Sequence, residues 1–167
     1  MKGISACILL FACSGIFAQE DHPILGTWTL NAEASDTRMN PPRMDVRQYS
    51  LRDDGLILGL AVWVHADGSP DFLQFTGRTD GQRYPEYDSP LLAELQATGT
   101  LSSREFTETI IDNNTTEWAN LSDGEVLGSG TRVYSENGSR MTININITNE
   151  KGNPDTFSLV YDKQEKP

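Results

Sequence analysis

The chain has 167 residues, with 13 basic and 24 acidic side chains and a net charge of −11. A chain this acidic, with no cluster of basic residues, is repelled by nucleic acid and by anionic membranes, so neither is expected as a partner. Both cysteines, Cys7 and Cys13, lie near the N-terminus. The rest of the chain therefore has no disulfide, but at about 150 residues it is long enough to bury one hydrophobic core.

The N-terminal segment has the features of a secretory leader. Lys2 precedes an apolar run at 4–12, and small residues then lead to Ala18, which suits the position before a cleavage site. Cleavage there predicts a leader at 1–18, a single domain at 19–167 and a secreted or periplasmic protein. A second interpretation stays open, because "LFAC" resembles a bacterial lipoprotein box and would put a lipid anchor on Cys13. The apolar run is too short for a spanning helix, so no membrane insertion is expected.

The first predicted strand, in "LGTWTLN", contains Gly26 and Trp28. The long polar segment at 31–45 follows it and carries Pro41 and Pro42, which do not fit a central strand. We expect this segment to cross the surface between the first two strands.

Three Asp-Gly pairs then divide the chain at intervals of thirteen residues: Asp54-Gly55, Asp67-Gly68 and Asp80-Gly81. Asp-Gly is typical of tight turns, so the pairs predict a series of strands at 46–51, 56–65 and 71–78. The strand at 56–65 is apolar on both faces. Its outer face therefore needs a cover, and self-association through 56–64 is one candidate.

The segment "DSPLLAELQATG" predicts a short helix near 89–97, with Ser89 as the N-cap and Pro90 at the first helical position. Leu91, Leu92 and Leu95 would lie on one side, and the helix would cover one end of the fold. A loop packed by the same leucines is the alternative.

The clearest strand is "MTININIT", in which Met141, Ile143, Ile145 and Ile147 alternate with Thr and Asn. This period of two predicts a strand with one face buried in the core and one face exposed to solvent, which we call the wet face. Asn137-Gly138 precedes it and predicts a type I′ hairpin turn, in which both central residues have positive φ.

Eight to ten short antiparallel strands in sequence predict an all-β meander, either a sandwich or an up-and-down barrel. A closed barrel is favoured because it leaves no free edge.

The chain also resembles a known group of proteins. The order of "GTWTLN", the Pro-containing loop, "TDGQRYP", "DGEVLGSGTRVYSENGSRMTI", "KGNP" and "YDK" is similar to that of small secreted bacterial lipocalin-like proteins, frequent in acidobacteria. The resemblance implies a lipocalin-like β-barrel in which Gly26 and Trp28 are structural and the Trp closes the floor. It also implies that Arg132 stacks on Trp28, as a basic residue does in lipocalins. The apparent insertion at 89–100 departs from the pattern, and the family offers no catalytic residues to carry over.

The sequence offers little chemistry. His22 is placed near the expected mature N-terminus and His65 at a strand end, and neither has the neighbours that a zinc site needs, so no metal and no cofactor are expected. We expect no enzyme, because no catalytic constellation is visible. The acids on predicted strands are interpreted as part of the wet face: Glu105, Glu108, Glu117 and Glu125.

The favoured hypothesis is a barrel that binds a small apolar molecule in its interior. Its expected wall contains Trp63, Phe75 and Tyr84, with Arg78 or Arg132 as a charged contact. The alternative is a structural or protein-interaction domain of the cell envelope with a filled core and no ligand. An enzyme would need convergent polar groups inside the barrel, and the sequence nominates only His65.

Overall fold

The computed structural model describes residues 22–36, 42–148 and 151–165. The expected leader at 1–18, its cleavage site and the anchor residue Cys13 lie outside these ranges, as does Pro41. Within them the chain forms ten strands and one helix: β1 (Gly26–Leu30), β2 (Met44–Leu51), β3 (Ile57–Val64), β4 (Pro70–Gly77), β5 (Tyr84–Asp88), α1 (Ser89–Thr98), β6 (Arg104–Asp112), β7 (Thr115–Ser122), β8 (Glu125–Tyr134), β9 (Arg140–Thr148) and β10 (Pro154–Lys163).

The ten strands close into one antiparallel up-and-down barrel. Each strand pairs with the next along the chain, and β1 completes the ring by pairing with both β2 and β10. Trp28 stands opposite Arg47 on one side and opposite Lys163 on the other. The predicted all-β barrel, including its strand number, is confirmed, and closure leaves no unpaired edge among these strands.

The alternation in β9 places its apolar side chains inward. Met141 and Ile143 are buried, and Ile145 is partly buried against the same core. The wet face carries a ladder of polar side chains, in which the Asn144 amide donates to Thr131 Oγ1 at 2.9 Å and accepts from Ser158 Oγ at 2.7 Å. A shift of one residue would exchange these two faces, so the pattern fixes the register of β9.

The Asp-Gly pairs lie in turns, as predicted. In each of the first three the glycine has positive φ, and the Asp carboxylate accepts the backbone N–H two residues further on. These bonds run from Leu56 N to Asp54, from Ser69 N to Asp67 and from Gln82 N to Asp80. The pair thus supplies both the left-handed residue and a local acceptor, which explains why it recurs.

The prediction of a type I′ turn at Asn137-Gly138 is wrong. Gly138 has φ +65°, but Asn137 does not have positive φ. Ser135 N–H donates to Arg140 O at 2.9 Å, and Gly138 N–H donates to Ser135 O at 2.8 Å. Four residues therefore lie between Ser135 and Arg140, where a type I′ turn would leave two. The connection is a β-turn followed by Gly138 in the left-handed conformation.

A type I′ turn needs two consecutive residues with positive φ. Asp123 (φ 50°) and Gly124 (φ 85°), between β7 and β8, meet this requirement. There Ser122 pairs directly with Glu125, which leaves only two residues to connect β7 and β8.

Helix α1 exists, but its cap is one residue earlier than expected. Asp88, not Ser89, is the N-cap, because its extended backbone lets the carboxylate accept Leu91 N–H at 2.7 Å. Ser89 is the first helical residue, and its hydroxyl accepts Phe72 N–H at 3.0 Å. Only one of the three leucines is buried, Leu91, while Leu92 and Leu95 are exposed. No helix in the described part of the chain is long and apolar enough to span a membrane.

The barrel has two different ends. We call "floor" the end near Ile24, Trp28, Tyr134 and Met141, which are all buried. We call "mouth" the opposite end, where β3 and β9 finish and where β4 and β8 begin. Since Asp88 pairs with Leu73 in β4, α1 starts on the mouth side.

Candidate functional site

The interior of the barrel contains a cavity of about 390 Å³ toward the mouth. Glycine and alanine on β3 leave room for it. A Cβ on Gly59 would lie 2.4 Å from the Phe75 ring, so the missing side chain lets that ring lie across β3. Ala61, the next inward position, is buried and lies on the cavity wall. The larger lining residues come from seven strands: Arg47, Tyr49, Trp63, Leu73, Phe75, Phe106, Trp118, Asn120, Leu127, Arg132, Ile143, Ile145 and Ile147.

Aromatic rings form one side of this wall. Phe75 stacks on Phe106 with ring centres 3.9 Å apart, and Tyr49 tilts against Phe75 at 6.3 Å. These rings present flat apolar surface to the cavity.

A buried ion pair lies beneath the rings. Arg132 donates from Nη1 to Glu108 Oε1, and Thr116 Oγ1 donates to the same oxygen at 2.6 Å. The Arg132 guanidinium carbon also lies 5.4–5.8 Å from the ring centres of Tyr49, Phe106 and Trp118. Burial is the largest single influence on the pKa of Arg132 and lowers it, but Glu108, Tyr49 and Tyr134 together raise it above its ordinary value, so the guanidinium stays charged.

This arrangement corrects two expectations about these residues. Glu108 is not a solvated acid of the wet face: it is 2% exposed, because it points inward from β6 toward Arg132. Arg132 does not stack on Trp28. Lys163 occupies that place, with its Nζ 5.0 Å from the Trp28 ring centre, and the Trp28 indole donates to Ile24 O at 2.7 Å.

Gly26 and Trp28 both lie on β1, and Trp28 is fully buried. Gly26 has φ +128°, and a Cβ there would lie 2.8 Å from Lys163 Cε. The glycine therefore lets the lysine chain cross β1 and reach the Trp28 ring.

A second ion pair lies at the wall near the mouth, formed by the buried Asp45 and the partly buried Arg47. Arg47 contacts both carboxylate oxygens of Asp45 at 3.3 Å, and the Tyr161 hydroxyl donates to Asp45 Oδ2 at 2.7 Å. The Arg47 guanidinium also lies 4.7 Å from the Tyr161 ring centre. Both arginines of the cavity wall thus have a carboxylate of their own.

Glu86 is a third buried acid, 3% exposed, and it accepts from the Asn120 amide. Burial raises the pKa of Glu86 to about 8, with a further contribution from Asp88, while Asn120, Arg104 and Arg132 act in the opposite direction. The Glu86 carboxyl is therefore mostly protonated at neutral pH. Its partner Asn120 lies on the cavity wall, so this acid stands directly behind the lining.

The two histidines differ from each other. His22 is buried, its Nδ1 accepts Ile24 N–H at 3.2 Å, and burial lowers its pKa. Although the sequence places His22 near the expected mature N-terminus, its side chain is therefore packed into the fold. His65 is exposed and lies 3.4 Å from Asp71. Within the described ranges, no three His, Cys, Asp or Glu side chains come together as metal ligands.

Of the five residues proposed for the ligand site, the structure brings Trp63, Phe75 and Arg132 together on the cavity wall. Tyr84 and Arg78 do not line this cavity. The Tyr84 ring occupies the space above Gly77, where a Cβ would lie 2.8 Å from it, and its hydroxyl donates to Asp80 at 2.8 Å. Arg78 donates to Asp54 O in the turn between β2 and β3.

The sequence reasoning missed several polar residues of the interior: Asp45, Arg47, Glu86 and Asn120. The period of two offered a signal, because Asp45 and Arg47 share the face of Tyr49 on β2, and Glu108 shares that of Phe106 on β6. Pairing partners on other strands were needed to recognise these charges as buried.

The outer face of β3 is half-buried. Val46, Val62 and Phe72 stand side by side on β2, β3 and β4. Self-association through 56–64 stays a prediction.

Comparison with known proteins gives one partial likeness. No family model matches the chain. The chain is 38% identical over 87 residues to CD166 antigen of Homo sapiens, which covers 52% of this chain and 13% of the antigen. The chain thus spans a small part of the length of this curated relative, and the likeness does not assign it to a family.

Proposed function

We propose that this protein binds a small apolar molecule inside the barrel. The observation that carries the proposal is the cavity of about 390 Å³ lined by aromatic and aliphatic side chains. Its volume falls in the range of about 300–1,000 Å³ that is typical of small-molecule sites. With the leader expected at 1–18, the binding would take place outside the cytoplasm, in the periplasm or the surrounding medium.

The polar groups of the wall support binding rather than a reaction. The carboxylates of Glu108 and Asp45 are each engaged by an arginine and a hydroxyl. The Glu86 carboxyl is engaged by Asn120. A carboxylate held in this way contributes to orienting the wall, and it is not placed as a free base beside the cavity.

The alternative function is an interaction domain without a ligand. The half-buried row of Val46, Val62 and Phe72 on the outer surface favours it. The two proposals differ in where a binding partner sits, so substitutions on the two faces separate them.

The test uses the neutral fluorescent probe N-phenyl-1-naphthylamine, titrated into the purified protein. We expect saturable binding of one probe per chain, with quenching of tryptophan fluorescence because Trp63 and Trp118 line the cavity. Ala61→Leu places a larger side chain in the cavity and should weaken probe binding at least tenfold.

The matched control is Ala119→Leu, the same change at a position on β7 that alternates with inward-facing Trp118. It should leave probe binding unchanged. Equal probe affinity in the two variants, or no saturable binding by the wild-type chain, would refute an interior ligand site.

A further inference from the structure

A second cavity, of about 250 Å³, adjoins the interior cavity on the side of β10. We call it the side cavity. Arg47, Trp63 and Ile145 line both spaces, so these three side chains form the boundary between them. Phe157 and Leu159 of β10 line the side cavity alone, and both face the barrel interior because they alternate with the outward positions of that strand.

The short first strand explains why this space exists. β1 ends at Leu30, opposite Tyr161, while β10 continues toward the mouth as far as Pro154. The chain after β1 stays beside β10, because Asp36 N–H donates to Ser158 O at 2.8 Å. It does not pair with the mouth end of β2 in the described ranges. The barrel is therefore wider between β2 and β10 at the mouth than lower down, where β1 lies between them.

The side cavity leaves apolar side chains partly exposed. Phe157 and Leu159 are only partly buried, whereas Tyr161, the next inward position of the same strand, is fully buried. An apolar group lying against Phe157 and Leu159 would remove their surface from water, which is favourable.

Asp45 and His65, which line the side cavity, both have protein partners. The Asp45 carboxylate is engaged by Arg47 and by the Tyr161 hydroxyl, and the His65 ring lies 3.4 Å from Asp71. A charged group on a ligand would lose its hydration here without gaining an unpaired counter-charge from either residue. The part of the ligand that enters this space should therefore be apolar and uncharged.

We propose that the side cavity is a second part of the ligand site, and that the ligand contains a flexible, unbranched hydrocarbon chain that bends past Trp63 and lies in both cavities. Such a chain can turn between the boundary side chains, whereas a rigid ring system long enough to reach both spaces cannot bend around them. This inference rests on the interior site proposed above and specifies the shape and class of its ligand.

The test measures affinity against chain length for the uncharged 1-alkanols from 1-hexanol to 1-tetradecanol. Each displaces N-phenyl-1-naphthylamine at pH 7, and the affinity of every variant for the probe is measured first. A methylene moved from water to an apolar wall contributes about 0.8 kcal/mol, which is about fourfold in affinity. We expect the affinity of the wild-type chain to go on rising to the longest alkanol.

Leu159→Trp places a larger side chain in the side cavity. It should leave the affinity for 1-hexanol within about twofold of wild type and weaken 1-tetradecanol at least tenfold, so that the affinity stops rising at a shorter chain length. The matched control is Val160→Trp, which places the same side chain at the next position of β10, facing away from the interior. It should keep the wild-type dependence on chain length.

A measurement on the wild-type chain does not depend on either variant. Bound, ¹³C-labelled 1-tetradecanol should give nuclear Overhauser effects both to Ile143, which lines the interior cavity but not the side cavity, and to Leu159, which lines the side cavity but not the interior cavity.

The outcomes separate this inference from the function it rests on. The same chain-length profile in the wild type and in Leu159→Trp, or a bound chain that contacts Ile143 without Leu159, would overturn the two-cavity site and leave the interior site standing. Failure of the probe to bind at all would overturn both.

Discussion

Replacement of Glu86 by Gln tests whether a protonated carboxyl is held inside the barrel. The pKa of Glu86 is raised from 4.5 to about 8, first by burial and then by Asp88. The folded protein therefore keeps a proton that the unfolded chain releases above pH 4.5. The stabilisation is fully present below pH 4.5 and is lost as the pH rises to about 8.

The size of the effect follows from the difference between the two pKa values. Each pH unit within this window removes up to about 1.4 kcal/mol from the free energy of unfolding. His22 has the opposite effect, because its pKa is lowered by burial, but it acts only below about pH 6.5, where the unfolded imidazole takes up a proton. Between pH 6.5 and 8 we therefore expect the wild-type chain to lose up to about 2 kcal/mol relative to Glu86→Gln.

The assay is urea denaturation at intervals from pH 5 to pH 9, followed by tryptophan fluorescence. Glu105→Gln is the matched control, because it removes a carboxyl from a half-exposed position on β6 that pairs with Arg83 at 3.4 Å. This control should follow the wild-type pH profile. Parallel profiles for the wild type and Glu86→Gln from pH 6.5 to 8 would show that Glu86 is ionised in the fold, and would refute the reasoning.

Three further substitutions test other parts of the structure. Glu108→Gln should destabilise the fold by about 3 kcal/mol, because it leaves the buried charge of Arg132 unbalanced. Adding Arg132→Met removes that charge and should restore most of the lost stability, measured by urea denaturation. Equal stability of the single and the double variant would contradict this. Gly130→Ala should lower the free energy of unfolding by about 3 kcal/mol or more, since its Cβ would lie 1.8 Å from the backbone oxygen of Asn144. A thermal midpoint within about two degrees of the wild-type value would exclude that clash. Asp88→Ala should lower the free energy of unfolding by about 1 kcal/mol, because it removes the N-cap of α1. Amide hydrogen exchange should become faster in that helix alone. Faster exchange over the whole barrel would show that Asp88 stabilises more than the helix.

Local patterns were sufficient to predict the strands and turns of an all-β meander. The alternation from Met141 to Ile147 identifies the inward face of β9 without knowledge of any neighbour, because side chains on a strand alternate between faces. The Asp-Gly pairs locate turns for an equally local reason. Glycine adopts positive φ without strain, and the Asp carboxylate accepts the backbone N–H two residues further along the chain. Turn type was less predictable, as Asn137-Gly138 shows: it depends on which residues of the two strands pair.

The candidate site was predicted only in part. Trp63 and Phe75 lie on apolar inward positions, so the period of two was enough to select them. Tyr84 also lies on a strand, but its ring fills the space above Gly77 on the neighbouring strand. The sequence does not show this contact between two strands.

What the sequence by itself determined is therefore the all-β class, the apolar inward face of β9 and the turn positions, all of which depend on residues close together in the chain. Only the tertiary structure decided which charges meet. Glu108 and Arg132 are 24 residues apart and become partners across the barrel interior, and Lys163 reaches Trp28 because β10 closes onto β1. The physical reason is that an acid on a strand carries no local sign of its partner: whether it is solvated or paired depends on the strands that closure brings beside it.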